Sequence, residues 1–544
     1  MDPNSSMSDA LSLLAKRLYF DSIKNKDQVL VLLFSVILIL LSKFLFDFYR
    51  QLEIKAFFKH IGILLINRAL NIDEKVRKGI ADMRKEVHKA KATSIQPVYD
   101  SLPTLTEAQI RERIRQVQEI DSVREKIAKE GGNYYYDVKD THKDFVCSIA
   151  SQFLYTNIMH FDACKGSQLL ENELINFFGE LLNAPSTFVG NSTFGGTESI
   201  LLSMLAYREL GYKRGIKDPE IVMFESGHVA FCKAAFYFKI KVTRVRVSEE
   251  TGLGSVDELL AHTNENTVVI VLSGGTYAHG AVDQVQEVSD RIMDTDILIH
   301  VDSCLGGFMS SCSALRKDGK IPPIDFRVAK VSTISIDPHK YGESPKGSSI
   351  VLFRNEELKK MSIFIYKDWT GGLYATPGIP GSRGCAPLVG AWVSLVKNGK
   401  QGILSTYDLI CKTRESLLRD LRSIPEIRVI GNPISCVVSF TTHKRSGISL
   451  FDLHDFLTDA KWHLSMMQKP YCLHITITKN NVETLRTLKD ELVSIIQKCR
   501  SNPNKGKNSV YSVLYGSLVK LPDESMIEDT LKTSVVEINR LKIN

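Results

Sequence analysis

From residue 145 to residue 353, short apolar runs alternate with stretches of helical periodicity. This alternation constrains the chain more than any other feature of it. Strand-like runs fall at Glu220–Phe224, Val242–Val247, Thr267–Leu272, Ile297–Val301, Val331–Ile336 and Ser349–Phe353. Helical patterns separate most of them, at Gln168–Leu182, Ser199–Leu210, Ala230–Phe238, Val256–His262 and Val285–Met293. Nearly continuous apolar strands joined by helices predict a mostly parallel sheet covered on both faces, an α/β fold. Past the Gly- and Pro-rich loop Trp369–Arg383, a long helical region over 386–422 leads into a smaller unit. Its strands are expected at Arg428–Ile430, Cys436–Thr441 and Leu473–Ile477, with helices between and after them, an α+β pattern.

The two ends read differently. Val29–Ser42 carries no charge, and the apolar run continues past Lys43 to Phe46, a length near the lower limit for a membrane-spanning helix. No small-residue cleavage site follows it, so a membrane anchor over about 29–46 is favoured over a signal peptide. Basic residues on both sides (Lys16, Arg17, Lys24 and Lys26 against Lys43, Arg50, Lys55 and Lys59) leave its orientation open. Residues 61–144 read as charged helices with solvated faces. The predicted organisation is therefore 1–60 with the anchor, 61–144 helical, 145–385 the large domain and 386–544 the small one, with a linker at 501–507 and a terminal helix over 524–540.

A net charge of +7 over 544 residues, without basic–aromatic interleaving, gives no footprint for nucleic acid. The ten cysteines form no CxxC pair or zinc-like spacing, so no metal site is predicted and reduced thiols of a cytosolic domain are expected.

Chemistry concentrates in Val331–Phe353. A β-rich run breaks at Asp337-Pro338, presents His339-Lys340, and returns to an apolar strand at Ser349. Burying an ammonium is costly unless its pKa drops or the amine is used covalently. Lys340 is either a strand-end surface lysine or the Schiff-base lysine of a pyridoxal phosphate (PLP) enzyme. Other features bear on that choice. Gly195-Gly196-Thr197 opens a helix, where backbone N–H groups and a hydroxyl suit a phosphate. Asp302 ends a buried strand, where ligands of open α/β sheets bind, and could keep a pyridinium nitrogen protonated. It could equally cap a helix. His228, just past another strand, could stack on a ring, or serve as a cap or core histidine.

These segments together resemble the sphingosine-1-phosphate lyase family, fold type I PLP enzymes of the group II decarboxylase kind. The resemblance runs from roughly residue 95 to the end. Gly195–Ser199 matches the family's Gly-Gly-Thr-Glu-Ser, and His300–Phe308 its His-Val-Asp-Ala-Cys-Leu-Gly-Gly-Phe, with Ser303 for Ala. Asp337–Ser349 matches the lysine motif, and Trp369–Pro377 with Gly381–Arg383 the later signatures. The resemblance implies cleavage of a phosphorylated sphingoid base between C2 and C3. Lys340, Asp302 and His228 would be catalytic, and Ser335, His339, Gly381 and Ser382 would join the cofactor site. Lys346, Tyr136, Asn157, His160 and Arg383 would bind substrate, Lys346 at its phosphate. It also implies a homodimer with Ser382 and Arg383 supplied across the interface, and an endoplasmic reticulum membrane protein, single-pass, with a cytosolic catalytic domain.

Four departures stand out. Pro338 replaces a Thr, Phe194 a Ser, and Ile158 the Pro of Asn-Pro-Leu-His. Glu343 replaces a Tyr and brings a negative charge near the phosphate site, which opposes binding unless it points away. An amino-acid decarboxylase of the same fold, or an inactive membrane-tethered scaffold, are the alternatives.

Overall fold

The structure, a computed structural model, describes residues 105–121, 129–132, 134, 141–160 and 162–503, with four positions between 528 and 536. The apolar run 29–46, Tyr136 and most of the 524–540 segment lie outside the described residues. No described helix is long and apolar enough to cross a membrane.

The central sheet has seven strands: β1 (Val189–Thr193), β2 (Glu220–Phe224), β3 (Lys241–Val245), β4 (Thr267–Ser273), β5 (Leu298–Asp302), β6 (Val331–Ile336) and β7 (Ser349–Phe353). Their order is β1-β7-β6-β5-β4-β2-β3. Only β7 runs against the rest, pairing antiparallel with both β1 and β6. All seven residues of β4 are buried, as are all of β2 and β6, as expected of strands covered on both faces. At one edge β3 instead exposes Lys241 and Arg244, charges that discourage pairing with another chain. The helices Gly196–Lys213 and Ala230–Phe238 cover one face. There Ile200, Met204, Tyr207 and Phe231 pack with Val269, Val271, Val351 and Phe353 in one core.

The sequence pattern misses β1, because Val-Gly-Asn-Ser-Thr is too polar to read as a strand. It is nonetheless buried from Gly190 on, and it delivers Phe194 and Gly195 to the site. Part of 369–383, read as loop, is a strand: β9 (Tyr374–Thr376) pairs antiparallel with β8 (Phe364–Tyr366) just before it.

Helix Ala386–Arg422 carries a Pro in its first turn and leaves helical geometry at Gly399, where φ is 57°. Beyond it, β10 (Ile427–Val429), β11 (Val437–Thr442), β12 (Ser465–Met467) and β13 (Cys472–Thr476) form an antiparallel sheet in the order β10-β11-β13-β12. The strand β12 is a further element that the sequence pattern does not show. The ten cysteines are free thiols.

Candidate active site

Parallel strands point their C-terminal ends to one side of the sheet, so the turns after β1, β2, β4, β5 and β6 converge there. They enclose a cavity of about 720 Å³. Of the residues singled out in the sequence, Gly195, Gly196, Thr197, His228, Asp302, His339, Lys340 and Lys346 line it together.

Lys340 sits in the turn after β6, with Nζ 3.0 Å from Asp337 Oδ2. Its charge state differs from the expectation of a depressed pKa. Burial does press the ammonium down, but Asp337, followed by Cys304 and Asp302, raises it above its ordinary value. Burial likewise pushes Asp337 up, yet Lys340 and then His339 hold its carboxyl below the usual range. A lysine taken alone should lose its proton on burial, but the fold supplies a counterion three residues away. Asp337 lines the cavity as well, and the pattern could have singled it out, since it stands on the same turn.

Asp302 ends β5. Its Oδ1 accepts the Cys304 backbone N–H at 3.1 Å and the Ser335 hydroxyl at 3.5 Å. Ser335 is fully buried behind it, not on the cavity wall, and also meets His300 Nε2 at 3.4 Å. Burial lowers the His300 pKa to about 4, against the pull of Asp302, so a neutral imidazole backs the aspartate. His228 fits both of its readings: it lines the cavity, and its Nδ1 accepts the Ala230 N–H at 3.1 Å at the start of a helix.

Phosphate chemistry suits the other wall. Helix Gly196–Lys213 aims its N-terminus into the cavity. A Cβ on Gly196 would lie 2.7 Å from Cys304 Sγ and 2.9 Å from Asp337 Oδ2, so only glycine fits beside the lysine turn. His339 Nδ1 accepts the Ser348 N–H at 3.3 Å. Lys346 Nζ donates to the carbonyls of Tyr134 (3.3 Å) and His339 (3.5 Å). Burial, then Lys340, lowers its pKa. Phe194 also lines this wall. Glu343 points away: its carboxylate pairs with Lys479 and accepts from Asn398 Nδ2 at 3.3 Å and Thr406 Oγ1 at 3.4 Å. Tyr134, Tyr277, Ser226, Ser273 and Thr476 line the cavity without having been singled out from the sequence. Their contacts run through other elements, which residue spacing does not encode.

A second group gathers away from the cavity. Asn157 Nδ2 donates to Ser382 Oγ at 3.2 Å, and Asn157 Oδ1 accepts the Arg383 N–H at 3.0 Å. Gly381 lies beside the Tyr374 hydroxyl. Arg383 is buried, with Nη1 3.1 Å from both Glu171 Oε1 and the Ser192 carbonyl. His160 is exposed at the end of the same turn as Asn157.

The groups facing the cavity fit pyridoxal phosphate: a lysine amine, an aspartate at a strand end, an exposed imidazole and a glycine-lined helix N-terminus. Asp337 Oδ1, buried without a hydrogen-bond partner, marks unfinished polar business at the same place.

Comparisons with known proteins agree with this geometry. Residues 109–441 match the model of the pyridoxal-dependent decarboxylase conserved domain. The chain is 36% identical over 397 residues to the sphingosine-1-phosphate lyase of Arabidopsis thaliana, covering 72% of each. It is 32% identical over 428 residues to sphingosine-1-phosphate lyase 1 of Rattus norvegicus, covering 78% of this chain and 74% of that one. Among solved structures, the sphingosine-1-phosphate lyase of Burkholderia pseudomallei superimposes with a TM-score of 0.72 at 27% identity, over 80% of this chain and 99% of that one. The glutamate decarboxylase of Lactobacillus brevis shares the fold, with a TM-score of 0.64 at 20% identity over 74% of this chain and 95% of that one. The fold is the α/β architecture of fold type I PLP decarboxylases, and the chain belongs to the pyridoxal-dependent decarboxylase family and, within it, to the sphingosine-1-phosphate lyases.

Proposed function

We infer that this protein cleaves a phosphorylated sphingoid base between C2 and C3, giving a fatty aldehyde and phosphoethanolamine, as a PLP-dependent carbon–carbon lyase. The observation that carries the reading is one cavity holding Lys340, Asp302 and Lys346 together. When bound, pyridoxal phosphate supplies an aldehyde that takes up amines and a ring that draws off electrons. Lys340 would hold it covalently, with Asp302 at the ring nitrogen and His228 on the ring face. The Gly195–Thr197 helix start and His339 would meet its phosphate.

The residues of the chain do the rest. Asp337 orients the Lys340 amine and stands within reach of its proton. Ser335 and the neutral His300 fix the Asp302 carboxylate from behind without adding charge. At the cavity mouth Lys346 offers an ammonium to a substrate phosphate, the charge-assisted contact such a group favours. Because Glu343 turns toward Lys479, it places no opposing carboxylate there.

Two further parts belong to this reading. The protein works as a homodimer whose partner brings Asn157, His160 and Ser382 to the cavity mouth, while Arg383, buried against Glu171 and the Ser192 carbonyl of its own chain, fixes the turn that carries Ser382 rather than meeting substrate as the resemblance implies. Supporting this, those residues gather outside the cavity of their own chain, beside a hairpin with exposed apolar side chains (Leu373 88%, Ile365 69%, Trp369 55%). The run 29–46 tethers the enzyme to the endoplasmic reticulum membrane, with the catalytic domain in the cytosol, where a lipid substrate is close at hand.

The test is an absorbance spectrum of the full chain with PLP, before and after sphinganine 1-phosphate, beside Lys340→Ala. The visible band of the bound cofactor should be present in the parent and lost in the variant. Fatty aldehyde should form with the parent, and at least about a thousandfold more slowly with the variant. A band that ignores the phosphorylated base but responds to an amino acid, with carbon dioxide released, would move the assignment to a decarboxylase.

A further inference from the structure

The phosphate end of the cavity is finished by a segment far away in sequence. Lys129–Gly132 lies along the small domain. Glu130 bridges His463 in parallel, and Gly131 and Gly132 N–H donate to the His463 carbonyl at 3.0 and 2.9 Å. Thr476 N–H donates to the Gly131 carbonyl at 2.7 Å. Two side chains converge on the Gly132 carbonyl, Tyr277 through its hydroxyl at 2.7 Å and Ser465 at 3.0 Å. The strap is thus tied both to the small sheet and to the turn after β4, and it carries Tyr134 to the cavity wall.

At the wall, Tyr134 meets Lys346 twice. Its carbonyl accepts from Nζ at 3.3 Å, and the same ammonium stands 5.3 Å from the centre of its ring. The ring is held edge-on against Tyr341, with centroids 4.8 Å apart, and Tyr341 is itself buried with its hydroxyl donating to the Ile477 carbonyl at 2.7 Å. An aromatic face under an ammonium favours the charged form and fixes where the charge stands. A lysine side chain otherwise has many rotamers to lose when it grips a phosphate.

We propose that Tyr134 is a positioning residue for the phosphomonoester end of the substrate, acting through Lys346. The ring holds the ammonium at the mouth, so phosphate binding does not have to order it. This role is distinct from that of Tyr136, the tyrosine matched by resemblance, and it rests on the lyase reading given above. An apolar residue of similar size would fill the same space without the attraction, which gives a way to separate positioning from packing.

The experiment uses the full-length holoenzyme and sphinganine 1-phosphate, following fatty aldehyde. Tyr134→Phe keeps the ring and should keep KM within about twofold. Tyr134→Leu should raise KM about threefold to thirtyfold, the loss of one cation–π contact, with kcat within about twofold. In a Lys346→Met background the same Tyr134→Leu change should have no further effect on KM, since the two residues act as one unit. An unchanged KM in Tyr134→Leu, or an undiminished effect in the Lys346→Met background, overturns the proposal. If Lys346→Met itself leaves KM unchanged, the phosphate is bound elsewhere and the Lys346 assignment falls along with this one. If Lys346→Met raises KM while Tyr134→Leu is silent, this inference alone fails. The visible band of bound cofactor checks the fold of each variant, and Tyr134→Ala replaces Tyr134→Leu should that variant lose it. Loss of the band in both would make Tyr134 a structural residue and overturn the positioning role.

Discussion

At the ends of β5 and β6, polar side chains turn inward and are paired with one another. Around Asn157 and Gly381–Arg383 they meet across a backbone bridge, and Ser382 and His160 stand exposed. The first arrangement is complete within one chain: Lys340 has Asp337, and Asp302 has Ser335 with His300 behind it. Such buried pairs keep their electrostatic strength because little water screens them. In the second, Arg383 is likewise buried against Glu171, but Ser382 and His160 lack that shielding. An exposed imidazole holds a phosphate strongly only once something covers it. On the proposed function, the difference separates groups assigned to making and breaking bonds from groups that the partner of the proposed homodimer would cover.

Mixing two damaged chains would break this comparison most sharply. His160→Ala should lower kcat/KM by about tenfold to a hundredfold, the loss of one charge-assisted contact to a phosphate. Since His160 is exposed, the fold should not suffer. Co-expressed with Lys340→Ala, it should recover about a quarter of parental activity, because half of the dimers are mixed and each has one intact site. Activity no higher than the mean of the two single variants would mean that each chain builds its site alone, and that the cluster at Asn157 serves another purpose.

The same contrast explains what was legible in the sequence. Lys340, Asp302 and Gly195–Thr197 stand at strand ends and helix starts, so periodicity locates them even before the family resemblance is considered. The six strands read from apolar runs are all present in the sheet. The polar strand β1 and the short β12 carry no such signal, and neither does Tyr134, whose place depends on a strap bonded across more than 300 positions. Spacing also failed for charge. The counterion of Lys340 and the direction of Glu343 are set by partners, Asp337 within the turn and Lys479 far along the chain.

Inward pairing has a cost that pH should expose. Asp283 is 1% exposed. Its Oδ2 accepts the Ser273 N–H at 2.7 Å, and its Oδ1 has no partner. Ser273 stands beside Asp302 across β4 and β5. Burial pushes the Asp283 pKa up to about 7 against the Ser273 N–H, and Asp302 adds to the rise. The folded value thus lies above the unfolded one, so its stabilising contribution is full below about pH 4 and is lost as pH rises to about 7. Asp283→Asn cannot ionise. Its melting temperature should gain on the parent from pH 4 to 7 and hold that gain above. The gain should be on the order of 4 kcal/mol, or roughly 3–6 °C. A gap independent of pH would show that the carboxyl does not titrate in this window.

The smallest effect sharpens the comparison from the other side. Glu343 is 5% exposed at φ 55°, on the turn between Lys340 and Lys346, yet it faces away from both. Its partners are Lys479, Asn398 and Thr406. If its work is to hold that turn rather than to meet substrate, Glu343→Gln should leave KM for sphinganine 1-phosphate within about twofold. The same change should weaken the fold by about 1–2 kcal/mol, a modest figure because Lys479 is about one-third exposed and water screens the pair. Lys479→Met should likewise leave KM within about twofold but should cost more stability, since it leaves a buried carboxylate without its cation. A fall in KM with Glu343→Gln would instead mean that the carboxylate is felt at the phosphate site. The residue would then belong with the groups that face the substrate, and the turn's inward pairing would be part of substrate selection rather than its support.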